Sequence, residues 1–320
     1  MTTPVSLDAI NAAARRIKGA VRRTPLIDVS YQAQCPLAIK CENLQVAGAF
    51  KIRGAYNLIV QLASEMPGRG VITYSSGNHA QAVAYAAREL GLQAVVVMPE
   101  SAPRIKVEGA RSYGAEVLFE GSTSIARRRR AETEAVVRGL TVVPPFDHSE
   151  IIAGQGTVGL EILEDHSSLT TIYVPIGGGG LISGIAAAVK QMQRDVRVVG
   201  VEPVGAAAMA ASIAAGKPVT LESVASVADG LLPVRPGDLT FAHVAALVDD
   251  IVTVDDDAIV QAVRWLAARA KLVVEPSGAA TVAATLFASD ANRGVDGDTV
   301  AVLSGGNVAL ESLAGMLGDG

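Results

Sequence analysis

Along the chain, short apolar runs alternate with longer stretches whose apolar positions recur every three or four residues. Val71 to Tyr74 predicts a strand, and Ala80, Val83, Ala84 and Ala87 then share one helical face before Gly91 stops it. Ala94 to Met98, closed by Pro99, predicts the next strand, followed by a helix from about Pro103 that ends before Gly114. Ala115 to Phe119 predicts a third strand, and a helix from about Ser122 to Arg138 leads to the apolar pair Val142 and Val143. A second series begins near Ile151. It has a helix from Gly156 to Glu164, a strand from Thr171 to Pro175, a helix through Lys190 and a strand from Val196 ending at Glu202-Pro203. Thr299 to Leu303 predicts a late strand, and Ile10, Ala13, Ala14 and Ile17 mark a first helix. This alternation predicts an α/β protein with mostly parallel strands, and Pro144-Pro145 punctuates the join between the two series.

Composition narrows the class. A length of 320 residues suits about two domains, and with 50% hydrophobic and 18% charged residues the chain reads as a compact globular enzyme. The net charge of −5 gives nucleic acid no electrostatic foothold. Arg127 to Arg130 is followed by Glu132 and Glu134, as on a solvated helix face. Cys35 and Cys41 are the only cysteines, which suggests reduced thiols and a cytoplasmic location. His79, His148, His166 and His243 are scattered, with no Cys/His pair at zinc-ligand spacing. No apolar run reaches the roughly 18 residues of a membrane span, so no membrane partner is expected.

The candidate chemistry begins at Lys51, set between Phe50 and Ile52. Apolar flanks desolvate an ammonium and favour the neutral amine, a nucleophile able to condense with an aldehyde such as pyridoxal phosphate. The other reading is a lysine that lays its stem on the core and its head in water. Gly177, Gly178, Gly179 and Gly180 lie between a strand and a helix, where backbone N–H groups and the helix N-terminus suit a phosphate. A tight strand-to-helix turn would need the same residues. The dinucleotide pattern Gly-x-Gly-x-x-Gly fails at its third glycine, although Glu202 stands where a ribose-binding acid would, so a nicotinamide-dependent oxidoreductase is the rival class. Ser75-Ser76-Gly77-Asn78-His79 is another strand-to-helix turn, which either caps its helix or holds a substrate carboxylate. Ser304-Gly305-Gly306-Asn307 follows the last strand, at the usual crevice of an α/β sheet.

Ala49 to Ala55, Ser75 to His79, Ala153-Gly154-Gln155-Gly156-Thr157, Gly177 to Gly180 and Ser304 to Asn307 occur in an order and spacing that resemble the threonine/serine dehydratase and serine racemase family. Arg23-Thr24-Pro25-Leu26, Ala228-Asp229-Gly230 and Glu275-Pro276-Ser277-Gly278 add to the likeness, which runs from about residue 6 to about 313. The resemblance implies pyridoxal 5'-phosphate and the tryptophan-synthase-β-like fold, two open twisted, mostly parallel α/β domains with the cofactor between them. It divides the chain into a large cofactor-binding domain (1–59 plus 147–320) and a small α/β domain (60–146). Lys51 would carry the Schiff base and act as base, Gly177 to Gly180 would hold the phosphate, Asn78 would contact the ring hydroxyl and Ser304 the ring nitrogen. Phe50 and Glu275 would line the cofactor site. Ser76 would face the substrate opposite Lys51, within a turn (Ser75, Ser76, Gly77, Asn78, His79) that binds the carboxylate. The expected activity is an ammonia-lyase (dehydratase) acting on a β-hydroxy amino acid, L-threonine or L-serine. Serine racemase, or a dehydratase of phenylserine or 3-hydroxyaspartate, is the alternative within the family. A homo-oligomer, dimer or tetramer, is expected. Most relatives have serine where Ala49 stands. Many bind a divalent cation with an acid at the place of Glu202 and another six residues on; here that place is Ala208, and a single carboxylate is a poor site for a hard cation.

Overall fold

The computed structural model describes residues 3–75, 77–121, 123–288 and 297–318. Its strands are β1 (Leu26–Asp28), β2 (Leu37–Cys41), β3 (Val71–Tyr74), β4 (Ala94–Met98), β5 (Glu116–Phe119), β6 (Thr141–Val142), β7 (Thr171–Pro175), β8 (Arg197–Pro203), β9 (Asp250–Val254) and β10 (Thr299–Leu303). They form two sheets, one of six strands in the order β1-β2-β10-β7-β8-β9 and one of four in the order β5-β4-β3-β6. Among the described residues only the β1–β2 pair is antiparallel. Every residue of β2, β4, β7 and β10 is buried, as parallel strands covered on both faces should be.

The helices are α1 (Leu7–Ile17), α2 (Ser30–Ala33), α3 (Lys51–Glu65), α4 (Asn78–Glu89), α5 (Arg104–Ser112), α6 (Ser124–Arg138), α7 (Ser149–Asp165), α8 (Gly180–Met192), α9 (Ala208–Ala215), α10 (Asp238–Leu247), α11 (Asp256–Trp265), α12 (Pro276–Val282) and α13 (Leu310–Gly318). On the small sheet, Val96 and Met98 of β4 pack with α3, α4 and α5, while Val95 and Val97 face Ala131 and Ala135 of α6. The alternation follows from the two-residue period of a strand. α1 starts on Ser6, whose hydroxyl accepts from Ala9 N–H, and buries Ile10, Ala13 and Ile17.

One predicted element was too short. α7 begins at Ser149, not Gly156, so the Gly154-Gln155-Gly156 run lies inside a helix. Its glycines are there for close contact. A Cβ on Gly154 would lie 2.6 Å from the Arg53 carbonyl oxygen of α3, and one on Gly184 of α8 would lie 2.4 Å from the Ile152 carbonyl oxygen. A mid-helix glycine costs about 0.5–1 kcal/mol, and here it lets α3, α7 and α8 approach backbone to backbone. No described helix is long and apolar enough to cross a membrane.

Candidate active site

Lys51 opens α3 from a segment stitched to the end of β10. Ala49 is extended and bridges Gly305, Phe50 N–H donates to the Ser304 carbonyl at 3.1 Å, and Gly306 N–H donates to the Gly48 carbonyl at 2.8 Å. Gly48 sits at φ +73°, and a Cβ there would fall 2.2 Å from Asn307 Oδ1, so this approach needs glycine. Lys51 is half-buried. Its Nζ lies 5.0 Å from the Phe50 ring centroid and donates to the Pro145 carbonyl at 2.8 Å. Burial brings its pKa down from 10.5 to about 8. Roughly a quarter of such a lysine is neutral at pH 7.5, against about one part in a thousand for an ordinary one.

The residue after that carbonyl, Phe146, lies on the glycine loop: a Cβ on Gly178 would be 2.3 Å from its ring. Gly179 has φ +95°, Thr240 Oγ1 donates to the Gly178 carbonyl at 2.6 Å, and α8 starts with no side-chain cap. Backbone N–H groups and the dipole of a 13-residue helix are therefore left for an anion.

Beside Lys51 stands the turn into α4. Asn78 Nδ2 donates to Glu275 Oε1 at 2.5 Å, and Asn307 Nδ2 donates to Asn78 Oδ1 at 3.0 Å. A Cβ on Gly305 would lie 2.3 Å from Glu275 Oε1 and 3.2 Å from the Ala49 Cβ, so the Ser304, Asn78 and Lys51 segments meet at one point. Ser75 Oγ accepts from Gly77 N–H at 3.1 Å, and α4 too has no side-chain cap. Ser304 is buried, with Oγ 3.4 Å from the Ser277 carbonyl. Ser76 lies outside the described residues.

The His79 side chain is turned into the interior. Its Nε2 is 3.2 Å from the Val143 carbonyl, and burial, reinforced by the charge of Lys51, lowers its pKa to about 3, so it stays neutral. Only its backbone N–H, at the start of α4, belongs with the turn. Glu202 is fully buried at the end of β8, with Oε1 and Oε2 accepting from the N–H groups of Met209 and Ala210 at 2.8 Å each. Burial pushes its pKa up to about 7. Both oxygens cap α9, and among the described residues no group of three or more His, Cys, Asp and Glu could hold a metal.

Two residues at the site went unnoticed in the sequence as candidates. Phe146 follows the Pro144-Pro145 pair, which signalled only a join between the two series. Lys106, on α5, lies 2.6 Å from Asp229 Oδ2 and 3.3 Å from Glu275 Oε2. The signal for Lys106 was present in its flanks, Ile105 and Val107.

A mostly parallel two-sheet α/β fold, with a depressed-pKa lysine beside a phosphate-suited glycine loop, defines a lysine-dependent cofactor enzyme. Residues 17–306 match the family model described as pyridoxal-phosphate dependent enzyme, and the chain belongs to that family. It is 41% identical to an L-threonine ammonia-lyase of Thermotoga maritima over 99% of this chain and 79% of that protein. Its fold is similar to that of maize serine racemase (TM-score 0.92, 41% identity, covering 97% and 96% of the two chains). It is also similar to a threonine deaminase from Solanum lycopersicum, the processed form of isoform 2 (TM-score 0.88, 33% identity, covering 98% and 94%). Family membership removes the nicotinamide alternative. The residues present fit pyridoxal phosphate: an amine without a carboxylate partner among the described residues, and a glycine loop before an uncapped helix, where a Cβ at Gly178 would strike the Phe146 ring and one at Gly179 the Thr240 side chain.

Proposed function

We propose that the protein is an ammonia-lyase that converts L-threonine, and with it L-serine, to a 2-oxo acid and ammonia. The observation that carries the reading is Lys51, an amine with a pKa of about 8 set between the glycine loop and the Asn78 turn. Near-full-length identity of about 40% to proteins named for L-threonine supports the substrate. When bound, pyridoxal phosphate supplies the electron sink that makes the substrate Cα–H acidic. The backbone N–H groups of Gly177 to Gly180 would hold its phosphate, Phe50 and Glu275 would line it, Asn78 would meet its ring hydroxyl and Ser304 its ring nitrogen. Lys51, once released from the Pro145 carbonyl, takes the Cα proton, and a base with a pKa near the working pH is the effective one. The uncapped N-terminus of α4, with Ser75, Gly77 and the N–H of His79, binds the substrate carboxylate. Ser304 is a neutral partner for a ring nitrogen. It does not enforce protonation as a carboxylate would, which favours prompt loss of the β-hydroxyl.

The likeness to maize serine racemase supports a second activity, racemisation, with Ser76 working from the face opposite Lys51. The two sheets support a division of the chain into a small domain, 60–146, and a large one, 1–59 plus 147–320. A homo-oligomer, dimer or tetramer, in the cytoplasm, working without a divalent cation, completes the proposal.

The test is the cofactor-loaded protein given a panel of L- and D-β-hydroxy amino acids, including phenylserine and 3-hydroxyaspartate, assayed for keto acid and for change of configuration. Keto acid should form fastest from L-threonine or L-serine. No keto acid from either would refute the reading.

A further inference from the structure

Lys106 joins the two sheet units at the candidate site. It belongs to α5, on the small sheet, yet its side chain is only 3% exposed. Its stem lies against Gly77, where a Cβ would be 2.1 Å from Lys106 Cδ. From there the ammonium crosses to two carboxylates on the large-sheet side, Asp229 Oδ2 at 2.6 Å and Glu275 Oε2 at 3.3 Å. Glu275 is 1% exposed, and its other oxygen is the acceptor for Asn78. So one buried carboxylate receives two groups from the small sheet, the Asn78 amide and the Lys106 ammonium. Asp229 is fixed in turn by its own side, with Ser277 Oγ 3.5 Å from its Oδ1 and the same hydroxyl accepting from Gly230 N–H at 2.8 Å. Burial drives Glu275 toward its neutral form and Asp229 reinforces this, while Lys106 works against both. For Lys106 burial opposes the charge, but Glu275 and Asp229 together outweigh it and raise its pKa.

We infer that Lys106 is a positioning residue for the proposed reaction: it pins the turn at Gly77–His79 of the small sheet to Asp229 and Glu275 of the large one, and thereby sets where the substrate carboxylate lies relative to Lys51. It touches neither reactant. The inference rests on the ammonia-lyase reading for its kinetic test, but not for its structural one.

Lys106→Met keeps the stem against Gly77 and removes the charge. A lost charged hydrogen bond corresponds to about a 10- to 100-fold effect. KM for L-threonine should rise by about tenfold or more with a smaller fall in kcat. The visible absorbance of bound cofactor should persist, because Lys106 reaches Gly77, Asp229 and Glu275, while Lys51 and Gly177 to Gly180 are the groups assigned to hold the cofactor. Backbone amides of Gly77 to Gln81 should exchange hydrogen faster. Lys106→Arg should recover part of the loss. Asp229→Asn, which removes the partner instead, should reproduce the KM effect, and the double variant should be no worse than the more damaging single one. The inference is overturned if Lys106→Met leaves KM and exchange within about twofold of the parent, if the two single effects multiply, or if cofactor absorbance is lost. Should Lys106→Met not fold, Asp229→Asn decides by the same readouts. If the parent makes no keto acid, the ammonia-lyase reading fails by itself, and amide exchange in the cofactor-loaded protein decides the role of Lys106.

Discussion

Arg53, two residues beyond Lys51, offers a sharp test of what holds the first turn of α3. It is fully buried, and its guanidinium is enclosed by acceptors. Nε and Nη2 donate to Glu42 at 2.8 and 2.7 Å, Nη1 and Nη2 donate to Glu161 at 2.7 and 2.9 Å, and Nη1 also reaches Thr157 Oγ1 at 3.1 Å. Lys40 completes the cluster, with Nζ 2.7 Å from Glu161 Oε2. Two cations thus balance two carboxylates inside the protein. Replacing Arg53 by Met leaves Glu42 and Glu161 to share Lys40, and breaking a buried pair from one side costs about 3–5 kcal/mol. Arg53→Lys keeps the charge, but a compact ammonium cannot span both carboxylates, so about 1–3 kcal/mol should be lost. The pH dependence carries a sign. In the parent, burial pushes the Glu42 pKa up, but the charge and hydrogen bonds of Arg53 overcome it and the folded value lies below the ordinary one. That stability is present above the unfolded carboxylate pKa and is lost as pH falls through the folded value. In Arg53→Met the same carboxyl, held by burial without its guanidinium, takes up a proton more readily, so the penalty shrinks on acidification. Urea unfolding of the cofactor-loaded protein, followed by circular dichroism near pH 8 and near pH 5, measures both effects. A loss under about 1 kcal/mol near pH 8, or a larger loss near pH 5 than near pH 8, would refute the reasoning.

Lys51→Ala should abolish both turnover and the visible absorbance of bound cofactor, since a positioned base alone is worth about 10²–10⁴-fold; full activity in that variant would sink the cofactor assignment. Because burial holds Lys51 at about 8, uptake of pyridoxal phosphate by the cofactor-free protein should speed up as pH rises toward that value and level off above it, as read by stopped-flow absorbance. A rate independent of pH across that range would contradict a neutral-amine nucleophile. Chelator treatment should leave activity and Tm nearly unchanged, because both oxygens of Glu202 already cap α9. A large loss restored by magnesium or calcium would show other ligands completing a cation site.

The apolar flanks that single out Lys51 in the sequence are shared by Lys40, between Ile39 and Cys41, and by Lys106, between Ile105 and Val107. All three withdraw from solvent, so the pattern does report burial. What separates them is pairing: Lys40 and Lys106 meet carboxylates from distant parts of the chain, and Lys51 meets a backbone carbonyl. Periodicity cannot foresee partners such as Glu161 or Asp229, so only the ordered motifs picked out the right lysine. Fold reading has the same limit. β3, β4, β7 and β10 matched their expected bounds because each is a short, almost wholly buried run rich in β-branched residues. The segment just after β8 carries no such pattern. There α9 reads Ala-Met-Ala-Ala-Ser-Ile-Ala-Ala, and a helix of small residues shows little contrast between its faces.

The helix starts support a division of the proposed binding work between the two sheets. α1, α6 and α11 begin on Ser6, Thr123 and Asp255, whose side chains accept from their own first turns. α4 and α8 begin instead on Gly77 and Gly179, with no side-chain cap. Each uncapped end carries about half a positive charge and several unpaired N–H groups, a deficit that a ligand anion can meet. One of these helices belongs to the small sheet and the other to the large, and Lys51 lies between their approaches. A pyridoxal phosphate–amino acid pair has two anionic groups, a phosphate and a carboxylate. On the proposed reading, with the phosphate on α8 and the carboxylate on α4, the substrate itself would span the two units, and proton transfer at Lys51 would depend on how closely they are held. That dependence would give the Lys106–Asp229 and Asn78–Glu275 contacts their place in the proposed reaction: they would fix the span from the protein's side before the substrate completes it.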